Sequence, residues 1–251
     1  MRAIDAFFRK LREISYRRGY ACDDCGREVF DYPAQRLCGA CLQKLLPVER
    51  ACPKCGRATV SDGVCLACKS DPPSFTQGVS AYVYVRETAA LVNRLKNGDR
   101  RLACFLGEET AKAFLARFPE LSDRSFLVLP VPITKRKRAE RGYNQAEELA
   151  EVVVRELKRA GVDVTLERGF LIKDRERSQQ KDLDSSARKR NARSAYRLTN
   201  RKACKDRTVL LVDDILTTGA TGGACAERLL AAGAKEVYFL TAAALPERPK
   251  P

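Results

Sequence analysis

Between Val209 and Thr221 the chain reads VLLVDDILTTGAT. Four apolar residues make a strand buried in a sheet, two aspartates end it, and a loop of threonines and glycine leads into the helix TGGACAERLLAAGA. In open parallel sheets ligands bind outside the carboxyl ends of the strands, which is where this order of residues puts Asp213 and Asp214. The unpaired amides and dipole of the following helix N-terminus favour a phosphate. Thr217, Thr218 and Thr221 add hydroxyl donors, and Gly219 lets the backbone approach closely. Carboxylates repel a phosphate but suit sugar hydroxyls or a divalent cation. The two halves together describe a site for a ribose 5-phosphate. For a lone pair of aspartates, helix capping is the simpler reading. The P-loop pattern G-x4-G-K-S/T and the dinucleotide pattern G-x-G-x-x-G do not occur.

Outward from this stretch, strands and helices alternate. GVSAYVYV (Gly78–Val85) reads as a strand, RETAALVNRLKNGD as a helix stopping at Asn97-Gly98, and CFLGEETAKAFLARF as a further helix. SFLVLPVP (Ser125–Pro132), GFLIK (Gly169–Lys173), AYRLT, TVLLVDD and EVYFLTAAA read as strands, with a helix over Asn144–Gly161. This order predicts an α/β domain with a parallel sheet flanked by helices. SDPPSF (Ser70–Phe75) breaks structure and reads as a linker.

The first 70 residues carry a different signal. Eight of the eleven cysteines form four C-x2-C pairs: Cys22/Cys25, Cys38/Cys41, Cys52/Cys55 and Cys65/Cys68. Two residues between thiolates let a tight turn aim both sulfurs at one ion, and two such turns complete a tetrahedral shell. Disulfides fit poorly without a secretion signal, and four redox pairs in series are not expected. The pattern predicts two structural Zn2+ ions. Sequential grouping, Cys22, Cys25, Cys38, Cys41 and then Cys52, Cys55, Cys65, Cys68, is the simplest, with interleaving as the alternative. Four protein ligands leave no open position, so neither ion is expected to be catalytic. Cys104, Cys204 and Cys225 read as small buried hydrophobes.

With 251 residues and ordinary apolar content the chain can build a sizeable core. It contains no histidine, which excludes imidazole as base or ligand. The formal charge of +15 gathers in TKRKRAERG (Thr134–Gly142) and SSARKRNAR (Ser185–Arg193) and favours a polyanionic partner, either nucleic acid or a phosphorylated small molecule. No apolar run is long enough for a membrane span. The N-terminal 20 residues read as a basic amphipathic helix rather than a secretory signal, so a cytoplasmic location is expected.

VLLVDDILTTGAT resembles the phosphoribosyl pyrophosphate (PRPP) motif of type I phosphoribosyltransferases. LPVPITKRKRAERGYNQA is similar to the VPVP…RGFNQA segment of the ComF family, matching at Arg141, Gly142, Asn144 and Gln145, with Tyr143 in place of Phe. SQQKDLDSSARKRNARSAY resembles that family's loop at Gln180, Leu183, Arg188, Asn191, Ala195 and Tyr196, and departs from it at Arg177-Ser178, where the pattern has Thr-Pro. The paired cysteines also resemble the double zinc ribbon of ComF proteins. The resemblance runs from about residue 20 to residue 245.

It implies a type I phosphoribosyltransferase fold over residues 75–251, a double zinc ribbon over 21–72 and the helix over 1–20. It further implies that Asp213 and Asp214 hold the ribose hydroxyls and that Thr217, Thr218, Gly219, Ala220 and Thr221 cradle the 5′-phosphate. Lys135, Arg136 and Arg138 would face the diphosphate, with Arg141, Tyr143, Asn144 and Gln145 beside the ribose. The stretch from Lys173 to Asn191 would be the loop closing over PRPP, its Arg188 and Lys189 neutralising the leaving group, and Mg2+ would accompany PRPP. The implied role is a PRPP-binding protein of natural transformation and DNA uptake. It would bind single-stranded DNA, transfer of a phosphoribosyl group being a further capacity, with competence or helicase-type DNA-processing proteins as partners. The alternatives are an active phosphoribosyltransferase on a small-molecule base in nucleotide metabolism, and a structural domain with vestigial PRPP binding.

Overall fold

A computed structural model describes residues 21–173 and 195–247. The expected N-terminal helix, and Gln180, Leu183, Arg188, Lys189 and Asn191 of the expected closing loop, lie outside the described residues. The chain divides into two compact units, Met1–Lys44 and Leu45–Pro251.

The two cysteine clusters are built alike. Each opens on a turn closed by a glycine in the left-handed region, Gly26 N–H donating to Cys22 O and Gly56 N–H to Cys52 O, both at 2.9 Å. The third cysteine of each caps a short helix, α1 (Gly39–Leu42) after Cys38 and α2 (Leu66–Ser70) after Cys65. The fourth cysteine sits three residues on, one helical turn around, and so faces the same point as the third.

The larger unit holds a five-stranded sheet in the order β1-β7-β6-β2-β3, every pair parallel. These strands are β1 (Gln77–Val83), β2 (Ser125–Pro130), β3 (Asp163–Leu166), β6 (Thr208–Leu216) and β7 (Glu236–Ala244); β4 (Leu171–Lys173) and β5 (Tyr196–Leu198) form a separate antiparallel ribbon. The helices are α3 (Arg86–Lys96), α4 (Leu102–Arg117), α5 (Lys135–Arg141), α6 (Gln145–Arg159) and α7 (Ala220–Ala231). Residues 46–48 pair with β1 and cover its edge through Val48 N–H to Ala81 O and Val83 N–H to Leu46 O.

Side chains alternate across the sheet with the period of two that strands impose. Leu127, Leu129, Val209, Leu211, Val237 and Phe239 share one face with Ala224, Cys225 and Leu229 of α7. The opposite face takes α4 and α6, with the Phe114 and Phe126 rings packed edge to face.

Three local differences from the sequence expectation stand out. β6 continues through the aspartates to Leu216, because β7 offers a ladder as far as Ala244 while pairing with β2 stops at Val212. The basic segment after β2 is helical: Thr134 Oγ1 caps α5 by accepting from Lys137 N–H, and Gly142 ends it at φ 78°. The segment read as a linker is anchored, since Phe75 is fully buried and packs against Phe239.

Candidate functional site

Asp213 and Asp214 lie on consecutive residues of β6, so their side chains leave opposite faces of the sheet. Both are buried. Asp213 continues the Val209–Leu211 row toward α7. Its Oδ1 accepts from Asp214 N–H at 2.9 Å, and its charge acts on the buried Cys225. Burial, and then the neighbouring Asp214 carboxylate, push Asp213 well above the usual carboxylate range. Asp214 continues the Leu210–Val212 row toward α3, where Lys96 Nζ lies 3.0 Å from its Oδ2. That contact is an ion pair set off the hydrogen-bonding axis, and Oδ2 has no hydrogen-bond partner among the described residues. A buried acceptor left in this state suits a hydroxyl donor or a divalent cation.

Beyond Leu216 the chain surfaces. Thr217, Thr218, Ala220 and Thr221 are exposed while Gly219 is buried. Gly219 takes φ 81° and starts α7, a conformation that an L side chain rarely adopts. The exposed first turn of α7 thus follows the acid pair directly along the chain, with Ala220 N–H donating to Thr218 Oγ1 at 3.3 Å, and a helix N-terminus so placed is suited to a phosphate.

The segment after β2 contributes differently along its length. Lys135, Arg136, Lys137 and Arg138 are exposed on α5. Arg136 pairs with Glu140 at 2.9 Å, and Arg138 forms a two-pronged pair with Glu147 at 2.6 and 2.8 Å. Arg141 donates to Gln145 Oε1 at 2.9 Å. Asn144 is buried as the cap of α6: its Nδ2 donates to Val131 O and its Oδ1 accepts from Ala146 N–H. Gln145 and Tyr143 are also buried. The Tyr143 hydroxyl donates to Leu95 O and accepts from Gly98 N–H, so it clamps the turn that carries Lys96 toward Asp214.

The cysteine sulfurs gather as Cys22, Cys25, Cys38, Cys41 and as Cys52, Cys55, Cys65, Cys68, all four of each set within 4.8 Å of one another. The Cys25–Cys38 and Cys55–Cys65 separations are both 3.7 Å, matching the edge of about 3.8 Å that tetrahedral Zn–S bonds of about 2.3 Å require. Cys38 N–H and Cys65 N–H each donate to the first sulfur of their set at 3.3 Å. The Cys41 backbone amide, helped by hydrogen bonds from the neighbouring thiols and opposed by burial, brings the Cys38 thiol down to about 7. At Cys52 the amides of Cys65, Cys55 and Lys54 outweigh burial and reach about 7. Burial pushes Cys41 and Cys68 strongly up. All four cysteines of the second set are buried, and all but Cys25 of the first; sulfurs so placed need a cation to ionise together, and the donor set fits Zn2+. Of the three remaining cysteines, Cys204 and Cys225 are buried and Cys104 is half-buried.

Two residues at this site carry no sequence signal. Lys96 is one. The other is Arg57, from the second cysteine cluster, whose Nη2 donates to Thr217 O at 2.5 Å.

A family model described as phosphoribosyl transferase domain matches residues 141–251. DNA utilization protein YhgH of Salmonella typhimurium is 30% identical over 207 residues, 80% of this chain and 87% of its own. Competence protein ComFC of Bacillus subtilis is 27% identical over 209 residues, 80% of each chain. Competence protein F of Haemophilus influenzae is 26% identical over 225 residues, 86% of each chain.

Proposed function

The chain belongs to the ComF family, its parallel sheet is a phosphoribosyltransferase fold and its two cysteine clusters fit a double zinc ribbon; on that footing we propose that it binds PRPP with Mg2+ and serves DNA uptake by handling single-stranded DNA. The observation that carries the PRPP reading is the juxtaposition on one stretch of chain of a buried acid pair and an exposed phosphate cradle. Asp214, whose buried Oδ2 pairs with Lys96 but accepts no hydrogen bond among the described residues, and Asp213 take the ribose hydroxyls. The amides and hydroxyls from Thr217 to Thr221 take the 5′-phosphate. The α5 cations, Arg136 among them, face the diphosphate, whose charge Mg2+ offsets when bound. Arg141, Tyr143, Asn144 and Gln145 hold the frame beside the ribose, and Arg188 is proposed to close over the leaving group.

The DNA reading draws on the names of the relatives and on the basic surface of α5, where Lys135 and Lys137 project into solvent. Among the described residues no helix is long and apolar enough to cross a membrane. A cytoplasmic location and docking to competence or helicase-type DNA-processing proteins complete the proposal. Calorimetry with PRPP and Mg2+, with and without single-stranded DNA, tests it. Saturable PRPP binding that alters DNA affinity is expected, and heats equal to dilution for both ligands would overturn it.

A further inference from the structure

The second cysteine cluster is built into the larger unit. Gly56 and Gly78 meet backbone to backbone: a Cβ on Gly56 would fall 2.4 Å from Gly78 O, and one on Gly78 would fall 2.4 Å from Cys55 O. Gly78 N–H donates to Lys54 O at 2.9 Å, and Lys54 Nζ returns donors to the carbonyls of Phe75 and Thr76. On the far side Leu66 N–H donates to Glu247 Oε1 at 2.7 Å, and Glu247 N–H to Ala58 O at 3.0 Å. The knuckle is thus fastened to the first strand of the sheet and to the chain leaving the last.

Arg57 extends from this knuckle to the phosphate loop. Its own carbonyl accepts from Cys52 N–H at 2.9 Å, which makes its backbone part of the metal-binding turn. Arg57 is 8% exposed, and its side chain holds Thr217 O. Across a planar trans peptide the carbonyl and the next N–H point in opposite directions. Holding Thr217 O toward the knuckle therefore aims Thr218 N–H the other way and keeps a carbonyl oxygen from facing the anion.

We propose that Arg57 is a positioning residue for the phosphate loop, and that metal at Cys52, Cys55, Cys65 and Cys68 raises PRPP affinity by fixing Arg57. The inference rests on the reading of Thr217–Thr221 as a PRPP cradle. With the four sulfurs held on one ion the knuckle keeps one shape and the guanidinium one position. Without the ion the sulfurs lose their common centre, the guanidinium leaves the carbonyl, and the loop is free to turn it toward the ligand.

The test is calorimetric titration of PRPP with Mg2+ into the full zinc-loaded chain, with zinc content and melting temperature recorded for each variant. Arg57→Met keeps the buried stem and removes the donors. It is expected to retain its zinc and to bind PRPP about tenfold more weakly, the factor corresponding to about 1.4 kcal/mol. Arg57→Lys, which restores a charged donor, is expected to recover part of the loss. Should Arg57→Met not fold, Arg57→Gln, whose neutral amide is a weaker donor than the guanidinium, is expected to lose affinity in the same direction. Wild-type affinity in a folded, zinc-loaded Arg57→Met or Arg57→Gln would overturn this proposal alone. A wild type that does not bind PRPP would overturn the cradle reading and this proposal with it.

Discussion

Lys96 Nζ sits 3.0 Å from Asp214 Oδ2 and ties the end of α3 to the acid pair of β6. The lysine side chain is 23% exposed and the aspartate 7%, so the carboxylate is the buried partner and depends on the cation. Removing Lys96 leaves a buried charge without compensation. Lys96→Met is expected to lower stability by about 2 kcal/mol, and adding Asp214→Asn is expected to return about half of that loss. Urea melts of the four corners of the cycle read the coupling. Strictly additive losses would mean that the two residues act independently.

Asp213 makes the opposite kind of prediction. Its folded pKa is raised by burial and by Asp214, so the folded state holds the proton more tightly than the unfolded chain. At and below about pH 4, the ordinary carboxylate range, no penalty exists; as pH rises toward the folded value, stability is lost. Asp213→Asn removes that loss. Its melting temperature is expected to exceed that of the wild type at pH 7 by about 3 °C or more, with the gap closing toward pH 4. The same variant is expected to lose the PRPP-induced rise in melting temperature. A variant less stable than wild type at every pH would contradict the assignment.

The two cysteine clusters are expected to separate in calorimetric melts. Cys52, Cys55, Cys65 and Cys68 share a core with Phe75, Leu216 and Phe239, whereas the other four belong to the Met1–Lys44 unit. Cys52→Ser is expected to lower or abolish the main transition, since binding of structural zinc is folding free energy. Cys25→Ser is expected to leave that transition in place. Equal losses from both variants would show that the clusters fold as one.

The DNA reading is open to a salt titration. Lys135 and Lys137 are exposed, and each phosphate contact to a single strand contributes about 0.7 to the slope of log affinity against log salt. Lys135→Ala/Lys137→Ala is expected to flatten the slope by about 1.4. An unchanged slope would remove α5 from the DNA footprint.

Much of this was legible in the sequence because it is local. Val209–Val212, the aspartates and the small residues of α7 lie side by side, and the cysteine spacing alone called for two four-thiol sites. Strand β3 was missed because it has four residues and only Val164 is buried. Helix α5 was missed because KRKRAER has no apolar face: caps at Thr134 and Gly142 define it, not periodicity. Tyr143, Asn144 and Gln145 are expected beside the ribose from their motif; what pattern alone does not give is the bonding that fixes them, Tyr143 to the turn that carries Lys96, Asn144 to Val131 O and the start of α6, and Gln145 to Arg141. Lys96 and Arg57 could not be found by pattern at all. Each acts on a residue more than a hundred positions away, and only the folded sheet brings them together.

The measurement that bears most directly on the central claim is PRPP binding to wild type and to Asp213→Ala/Asp214→Ala, in Mg2+, by calorimetry. The wild type is expected to bind with saturation and the double variant to show no heat above dilution. Equal binding by both, or none by the wild type, would contradict the claim that the acid pair and the loop from Thr217 to Thr221 form a PRPP site.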